Sequence, residues 1–255
     1  MELKDRTVLI TGGSSGIGKG LAEMFYRFDS QVIVTGRNEE SLKRLCDTHQ
    51  GMHYFVMDML DTENMSTVID EIKKAHPQID CLINNAGIQR SIDFNQDTLP
   101  DFALLNQEIQ TNLSALICMT SAFLPVLKKS RSASIINISS GLSLVPMIQL
   151  PIYSATKAAV HSFTMSLREQ LKPAGIQVIE IMPPPVQSQL DPNRQLPEGK
   201  QELSVAGLMD ALIQSLIHDE DEIAIGSAFT LRQEAQADLH QVFQRLNSLS
   251  PSTSS

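Results

Sequence analysis

Tyr153 and Lys157 stand four residues apart at the start of a helical pattern that continues through Ala158, Val160, Phe163 and Leu167. Residues at that spacing share a helix face, so the phenol and the amine point the same way. Their ordinary pKa values are ~10 and ~10.4. An ammonium ~4 Å from the phenol, at an effective dielectric near ~20, favours phenolate by ~4 kcal/mol. That is about three pKa units. A tyrosine brought near neutral pH in this way is a good general acid/base, although an apolar setting opposes part of the shift. The plain alternative is an exposed Tyr/Lys pair of the kind that arises by chance.

A second constellation is Thr11-Gly-Gly-Ser-Ser-Gly-Ile-Gly18, which follows the apolar run Thr7-Val-Leu-Ile10 and precedes a helical pattern. Gly12, Gly16 and Gly18 lack Cβ, so the backbone can turn tightly and approach a ligand. The N–H groups and positive dipole end of the next helix then face phosphates. Gly12, Ser14, Ser15, Gly16, Ile17 and Gly18 are the candidate contacts. The spacing is neither the usual Gly-x-Gly-x-x-Gly fingerprint nor a P-loop, and an ordinary strand–helix turn is the other reading.

Further candidates follow each apolar run. In a dinucleotide fold, an acidic side chain after the second strand binds the ribose hydroxyls of NAD. Here Gly36 holds that place and Arg37 follows. A fixed cation suits a 2′-phosphate, which favours NADP(H), with NAD(H) the alternative; a solvated arginine starting a helix is the bland reading. Asp58 and Met59 end the third strand, where an adenine edge would lie. A turn-capping aspartate looks the same, and Asp61 is the more obvious helix cap. Asn84-Asn85-Ala86-Gly87 can tie strand ends together and let a ligand approach, or form a simple turn. Asn112 sits inside a long apolar helix, a poor place for asparagine. It either faces solvent or marks a break that aims a polar group into the site. Ser139-Ser140-Gly141 ends another strand. The uncharged loop after it is either an apolar substrate wall or ordinary core.

These residues need a frame. Strands are expected at 8–10, 31–35, 53–57, 79–83, 134–138, 177–181 and 222–226. Helices are expected at 16–28, 39–48, 62–75, 101–128, from 153 onward and at 228–246, the last amphipathic and packed on its own domain. The βαβα rhythm implies right-handed crossovers and a parallel sheet with helices on both faces. The expected fold class is α/β: a doubly wound, Rossmann-type sheet of about seven strands in one domain over 1–247. Residues 248–255 are Ser/Pro-rich and expected to be disordered.

The chain has 255 residues and a formal net charge of −9. With no basic block, neither nucleic acid nor an anionic membrane is an expected partner. No apolar run is read as long enough to span a bilayer, and the first residues lack the apolar stretch of a signal peptide. The 3 cysteines lack Cys-x-x-Cys spacing and read as core thiols of a reducing cytoplasm. The 6 histidines show no His-Glu-x-x-His pattern, so no metal is expected.

In their order along the chain, Thr11-Gly-x-x-x-Gly-Ile-Gly18, Asn84-Asn-Ala-Gly87, Asn112, Asn137-Ile-Ser-Ser140 and Tyr153-x-x-x-Lys157 resemble the short-chain dehydrogenase/reductase family in its single-domain form. The resemblance implies hydride transfer between NAD(P)(H) and a carbonyl or secondary alcohol. It implies that Tyr153 exchanges a proton with the substrate oxygen and that Ser140 orients that oxygen. It gives Lys157 the nicotinamide ribose and Asn112 a water in a proton relay. It implies a homodimer or homotetramer. Where the family has Pro-Gly and Val-x-Thr, this chain has Met182-Pro-Pro-Pro-Val-Gln-Ser188. Pro183, Val186 and Ser188 become the nicotinamide-side candidates, Pro184 stiffens the backbone there, and 189–200 reads as a lid or a disordered loop. The Pro-Pro-Pro-Val run and the Ile223-Ala-Ile-Gly-Ser ending are similar to DltE-like oxidoreductases associated with teichoic acid D-alanylation operons. A catalytically weak NAD(P)-binding regulator or scaffold, and an epimerase or dehydratase, are the rival readings on the same fold.

Overall fold

Val8 and Ile10 face one side of the sheet and Leu9 the other, and every inner strand repeats this alternation. Val32 and Val34 oppose Ile33; Cys81 and Ile83 oppose Leu82; Ile179 and Ile181 oppose Val178. Strand side chains alternate faces, so a strand apolar at every position demands cover on both sides.

The computed structural model describes residues 1–98, 100–186 and 203–248. Seven parallel strands stand in the order β3-β2-β1-β4-β5-β6-β7. They are β1 (Thr7–Thr11), β2 (Gln31–Gly36), β3 (His53–Val56), β4 (Cys81–Asn84), β5 (Ser134–Ile138), β6 (Gln177–Met182) and β7 (Glu222–Ala224). Helices α1 (Gly16–Arg27), α2 (Glu39–Thr48) and α7 (Val205–Ile217) supply Leu21, Phe25, Leu42 and Leu212 to one core. Helices α3 (Thr62–Ala75), α5 (Ala115–Leu127) and α6 (Pro151–Leu171) supply Ile72, Phe123 and Leu167 to the other. The expected doubly wound α/β architecture is present.

Four expectations change. The helix expected over 101–128 is two helices, α4 (Phe102–Ile109) and α5, joined by the π-helical segment Gln110–Ser114. That segment contains Asn112, so the break is real and the asparagine is buried. The continuous stretch Phe102–Leu127 is 26 residues long with hydropathy 1.3, enough by length and composition for a membrane span. It packs instead as a core helix, with Met119, Phe123 and Leu127 fully buried against the sheet. Helix α7 was not expected. Its buried Leu208, Met209, Leu212 and Leu216 follow helical spacing, and Ser204 caps it by accepting from Gly207 N at 3.1 Å. The C-terminal helix α8 (Ser227–Ser248) is kinked: Asp238 has φ −156 and ψ 91 and its carboxylate accepts from Gln241 N, restarting the helix. Ser188, the segment 189–200 and residues 249–255 of the expected tail lie outside the described residues.

A polar row crosses the α6 side of the sheet. Asn84, Asn137, Glu180 and Glu222 are in register on β4, β5, β6 and β7. Each meets a helix: Asn84 donates to Thr120, Asn137 to Thr164, Glu180 accepts from His161, and Glu222 pairs with Arg168 and Arg232. Asn84 also donates to Asn137 at 2.9 Å. A buried polar group is costly unless satisfied, so this row fixes how the helices sit against the strand ends.

Candidate active site

The carboxyl end of β1 turns at Gly12, whose φ of +67 suits glycine. A Cβ on Gly12 would lie 2.9 Å from Ala86 Cα, and one on Gly18 would lie 2.2 Å from Gly12 O. The turn is therefore packed backbone to backbone against the end of β4. Asn85 Nδ2 donates to Thr11 O at 2.9 Å and Gly12 O at 3.1 Å, and Thr11 Oγ1 accepts from the N–H groups of Asn85 and Ala86. The amide of Asn85 thus ties two strand ends, as its position suggested. Ser15 is the N-cap of α1, yet its side chain accepts no hydrogen bond from the helix. The first-turn N–H groups of α1, with Ser14, Gly16 and Ile17 beside them at the glycine turn, have no partner within the helix. That donor set fits a pyrophosphate.

At the next strand ends, Arg37 is exposed beyond β2 and the side chain of Ser14 approaches Gly36. Asp58 Oδ1 accepts from Leu60 N at 3.0 Å, and Asp61 is the cap of α3. Met59 is buried in the core. Pro183 is buried at the end of β6, Val186 bridges to Leu203, and Pro184 packs on Gly226.

Tyr153 and Lys157 lie at the end of β5, with β4 between them and the glycine turn. Lys157 is buried, its Nζ donates to Ile138 O at 2.8 Å, and it stands 5.5 Å from the centroid of the Tyr153 ring. Gly87 closes the space: a Cβ there would be 3.3 Å from Asn112 Oδ1 and 3.8 Å from Lys157 Nζ. Asn112 accepts from Ile88 N at 2.8 Å, and donates to Ile88 O at 2.9 Å and Thr156 Oγ1 at 3.1 Å. Thr156 in turn donates to Tyr153 O. The π-helical segment therefore links the β4 turn to the helix that carries Tyr153. The two serines separate. Ser139 donates to Glu180, whereas Ser140 caps the turn at Leu142 and stays half-buried at the strand end.

Sequence reasoning missed the two acids that set the charge here. Glu180, fully buried, and Glu108 on α4 both act on Lys157. Burial pushes the Lys157 ammonium down to about 8, and the two carboxylates oppose this. Burial pushes the Glu108 carboxyl up to about 7, opposed by Arg90 and Lys157. A single acid inside an apolar run is the signal Glu180 left in the sequence, whereas Glu108 stands among Asn106, Gln107 and Gln110 and left none. Glu180→Gln removes a charge that favours the ammonium, so the alkaline limb of a pH–rate profile should move to lower pH. A limb that stays put in Glu180→Gln would free Lys157 from Glu180. Among the described residues, no group of three or more His, Cys, Asp or Glu side chains is arranged to hold a metal ion.

Residues 6–199 match the family model described as short chain dehydrogenase. The chain belongs to the short chain dehydrogenase family. Among relatives, DltE of Bacillus subtilis (strain 168), described as an uncharacterized oxidoreductase, is 34% identical over 252 residues, 97% of this chain and 98% of that one. This agrees with the DltE-like ending read from the sequence. Sulfoacetaldehyde reductase 2 of Chromohalobacter salexigens is 36% identical over 180 residues, 69% of this chain and 71% of that one. A short chain dehydrogenase of Burkholderia cenocepacia J2315, solved in complex with NADP, superposes with a TM-score of 0.84 at 26% identity, covering 98% of this chain and 100% of that one.

Proposed function

We propose that this short chain dehydrogenase is an NADP(H)-preferring oxidoreductase acting on a carbonyl or secondary alcohol, with Tyr153 as its general acid/base. The observation that carries the reading is the buried Lys157 ammonium. It is anchored on Ile138 O and set against the Tyr153 ring, beside Gly87 and across the strand ends from the glycine cradle. A buried cation favours ionisation of an adjacent phenol. A phenol so tuned can give its proton to a carbonyl oxygen or take one from an alcohol.

The cradle of Gly12, Gly16 and Gly18 with the α1 N-terminus would hold the pyrophosphate, and Lys157 the nicotinamide ribose. When bound, the nicotinamide supplies or accepts the hydride. Ser140 orients the substrate oxygen. Both amide hydrogens of Asn112 are committed to Ile88 and Thr156. A relay water at this position would therefore be an acceptor's guest, held by a carbonyl of the π-helical segment or by Asn112 Oδ1. The NADP-bound relative and the reductase relative support the cofactor and the carbonyl class. The 3 unpaired cysteines fit a reducing, cytoplasmic setting. Exposed Phe102, Ile109 and Ile117 on α4 and α5 offer a face for a homodimer or homotetramer.

The test is NADPH oxidation by the full chain with a panel of aromatic and short aliphatic aldehydes and ketones. Tight NADPH binding with no turnover on any of them would favour a cofactor-binding regulator. The preference has its own test. Arg37→Ala should lower the NADPH/NADH affinity ratio by about tenfold to a hundredfold, the worth of one charge-assisted contact of about 1.5 to 3 kcal/mol. An unchanged ratio would leave Arg37 a solvated charge.

A further inference from the structure

The loop that follows Ser140 is held by the far end of the chain's last described helix. Residues 143–150 carry no charge. Their inner anchors are local to the site: Met147 N donates to Ser154 Oγ at 3.2 Å, and Gln149 O accepts from Ile92 N at 3.0 Å. The outer anchor is Asn247. Its Oδ1 accepts from Ile148 N at 2.7 Å and its Nδ2 donates to Pro146 O at 3.1 Å. One amide thus grips the backbone on both sides of Met147. A third bond, Nδ2 to Phe243 O at 2.8 Å, fixes the rotamer of that amide.

Helix α8 is built to deliver this group. Its first half is fastened to the sheet: Arg232 bonds the Glu222 carboxylate and carbonyl. Ala228 and Leu231 press on Gly141, where an added Cβ would come within 3.3 Å of both. The bend at Asp238 then turns the second half back, with Val242 buried. Arg245 and Glu234 form an ion pair across the bend. A straight helix would carry residue 247 about 13 Å beyond the bend along one line, at 1.5 Å per residue. The bend redirects that reach.

We propose that Asn247 is a positioning residue, clamping the 143–150 loop so that the wall beside Ser140 and Tyr153 keeps one shape for the carbonyl substrate. The assignment rests on the reductase reading. Asn247 touches neither cofactor nor the reacting atoms; it acts through the loop backbone.

Hydrogen–deuterium exchange and steady-state kinetics on the full chain test it, using Asn247→Ala and Asn247→Asp and the best-reduced carbonyl of the panel. In Asn247→Ala, exchange of the Ile148 amide should rise about tenfold, the loss of two ordinary hydrogen bonds, while β5 amides stay protected. KM for the carbonyl should rise severalfold, with kcat and KM for NADPH held. Asn247→Asp keeps the acceptor for Ile148 N and should fall between the two. If the alanine variant does not fold, the aspartate variant makes the same measurement. Unchanged Ile148 exchange overturns the clamp. Faster exchange with unchanged carbonyl KM overturns the positioning role. A wild-type chain that binds NADPH but reduces nothing in the panel overturns the reductase reading and the substrate half of this proposal, while the exchange result still decides the clamp.

Discussion

Tyr153→Phe should lower kcat by about 10³-fold, within the range of a lost general acid/base, while NADPH affinity stays the same. The substitution removes one oxygen and keeps the ring. Tyr153 is buried, so a phenylalanine fills the same space and leaves no cavity. The ring contact with Lys157 survives, because it is made at the aromatic face and not through the hydroxyl. The loss would therefore report chemistry and not folding. Single-turnover kinetics with saturating NADPH, together with a calorimetric Kd for NADPH, separate the two. Turnover at the wild-type rate would remove Tyr153 from the acid–base role and transfer the question to Ser140 and Lys157.

Gly18→Ala should abolish tight cofactor binding and cost stability as well. The new methyl would sit 2.2 Å from Gly12 O and 2.4 Å from Asn85 Nδ2. One neighbour is backbone and the other is a side chain already committed to Thr11 and Gly12 carbonyls. Neither can swing aside, so α1 must move away from the β1 turn. Overpacking of this kind costs about 1–3 kcal/mol, or several degrees in melting temperature at about 2–4 °C per kcal/mol for a domain of this size. The NADPH Kd should rise more than tenfold, since the phosphate-facing N–H groups move with the helix. Gly51 is the control, because an added Cβ there meets nothing within 4 Å, although its φ of +89 carries a backbone cost of its own. A Gly51→Ala variant should lose some stability and keep its cofactor. Wild-type NADPH affinity in Gly18→Ala would mean that the cradle is not where the pyrophosphate rests.

What the sequence makes legible is what local spacing encodes. The alternation of Val8, Leu9 and Ile10 predicts a strand buried on both faces, and Tyr153 and Lys157 predict a shared helix face. Both hold. Asn112 is legible as an anomaly within an apolar helix, and the π-helical segment is its cause. The two readings of Asp58 were open because a cap and a ligand contact use the same carboxylate; the cap to Leu60 is present. Glu108 and Glu180 were not legible. Glu180 is one acid among apolar neighbours and Glu108 one polar residue among others, and the meaning of each comes from Lys157, which lies far away in sequence and close in space. Helix α7 was overlooked because Ser204 and Gly207 open it next to a polar stretch, although Leu208, Leu212 and Leu216 carry the period. The kink at Asp238 was hidden because apolar spacing continues through it, from Leu231 to Leu246.

The strand order has a consequence for how the chain is made. The first strand synthesised sits inside the sheet: β2 and β3 extend it on one side, β4 joins the free edge of β1, and from β5 onward each new strand joins the edge that the preceding one has just left open. Growth is therefore outward and sequential, with no strand required to insert between two already paired. Domains emerging from a ribosome fold from the N-terminal side as they appear, and this topology lets the glycine turn between β1 and α1 assemble while the remainder is still being translated. The loop beside Ser140 must wait for α8. A nascent protein of this design would complete its glycine turn well before the wall beside Ser140 took its final shape.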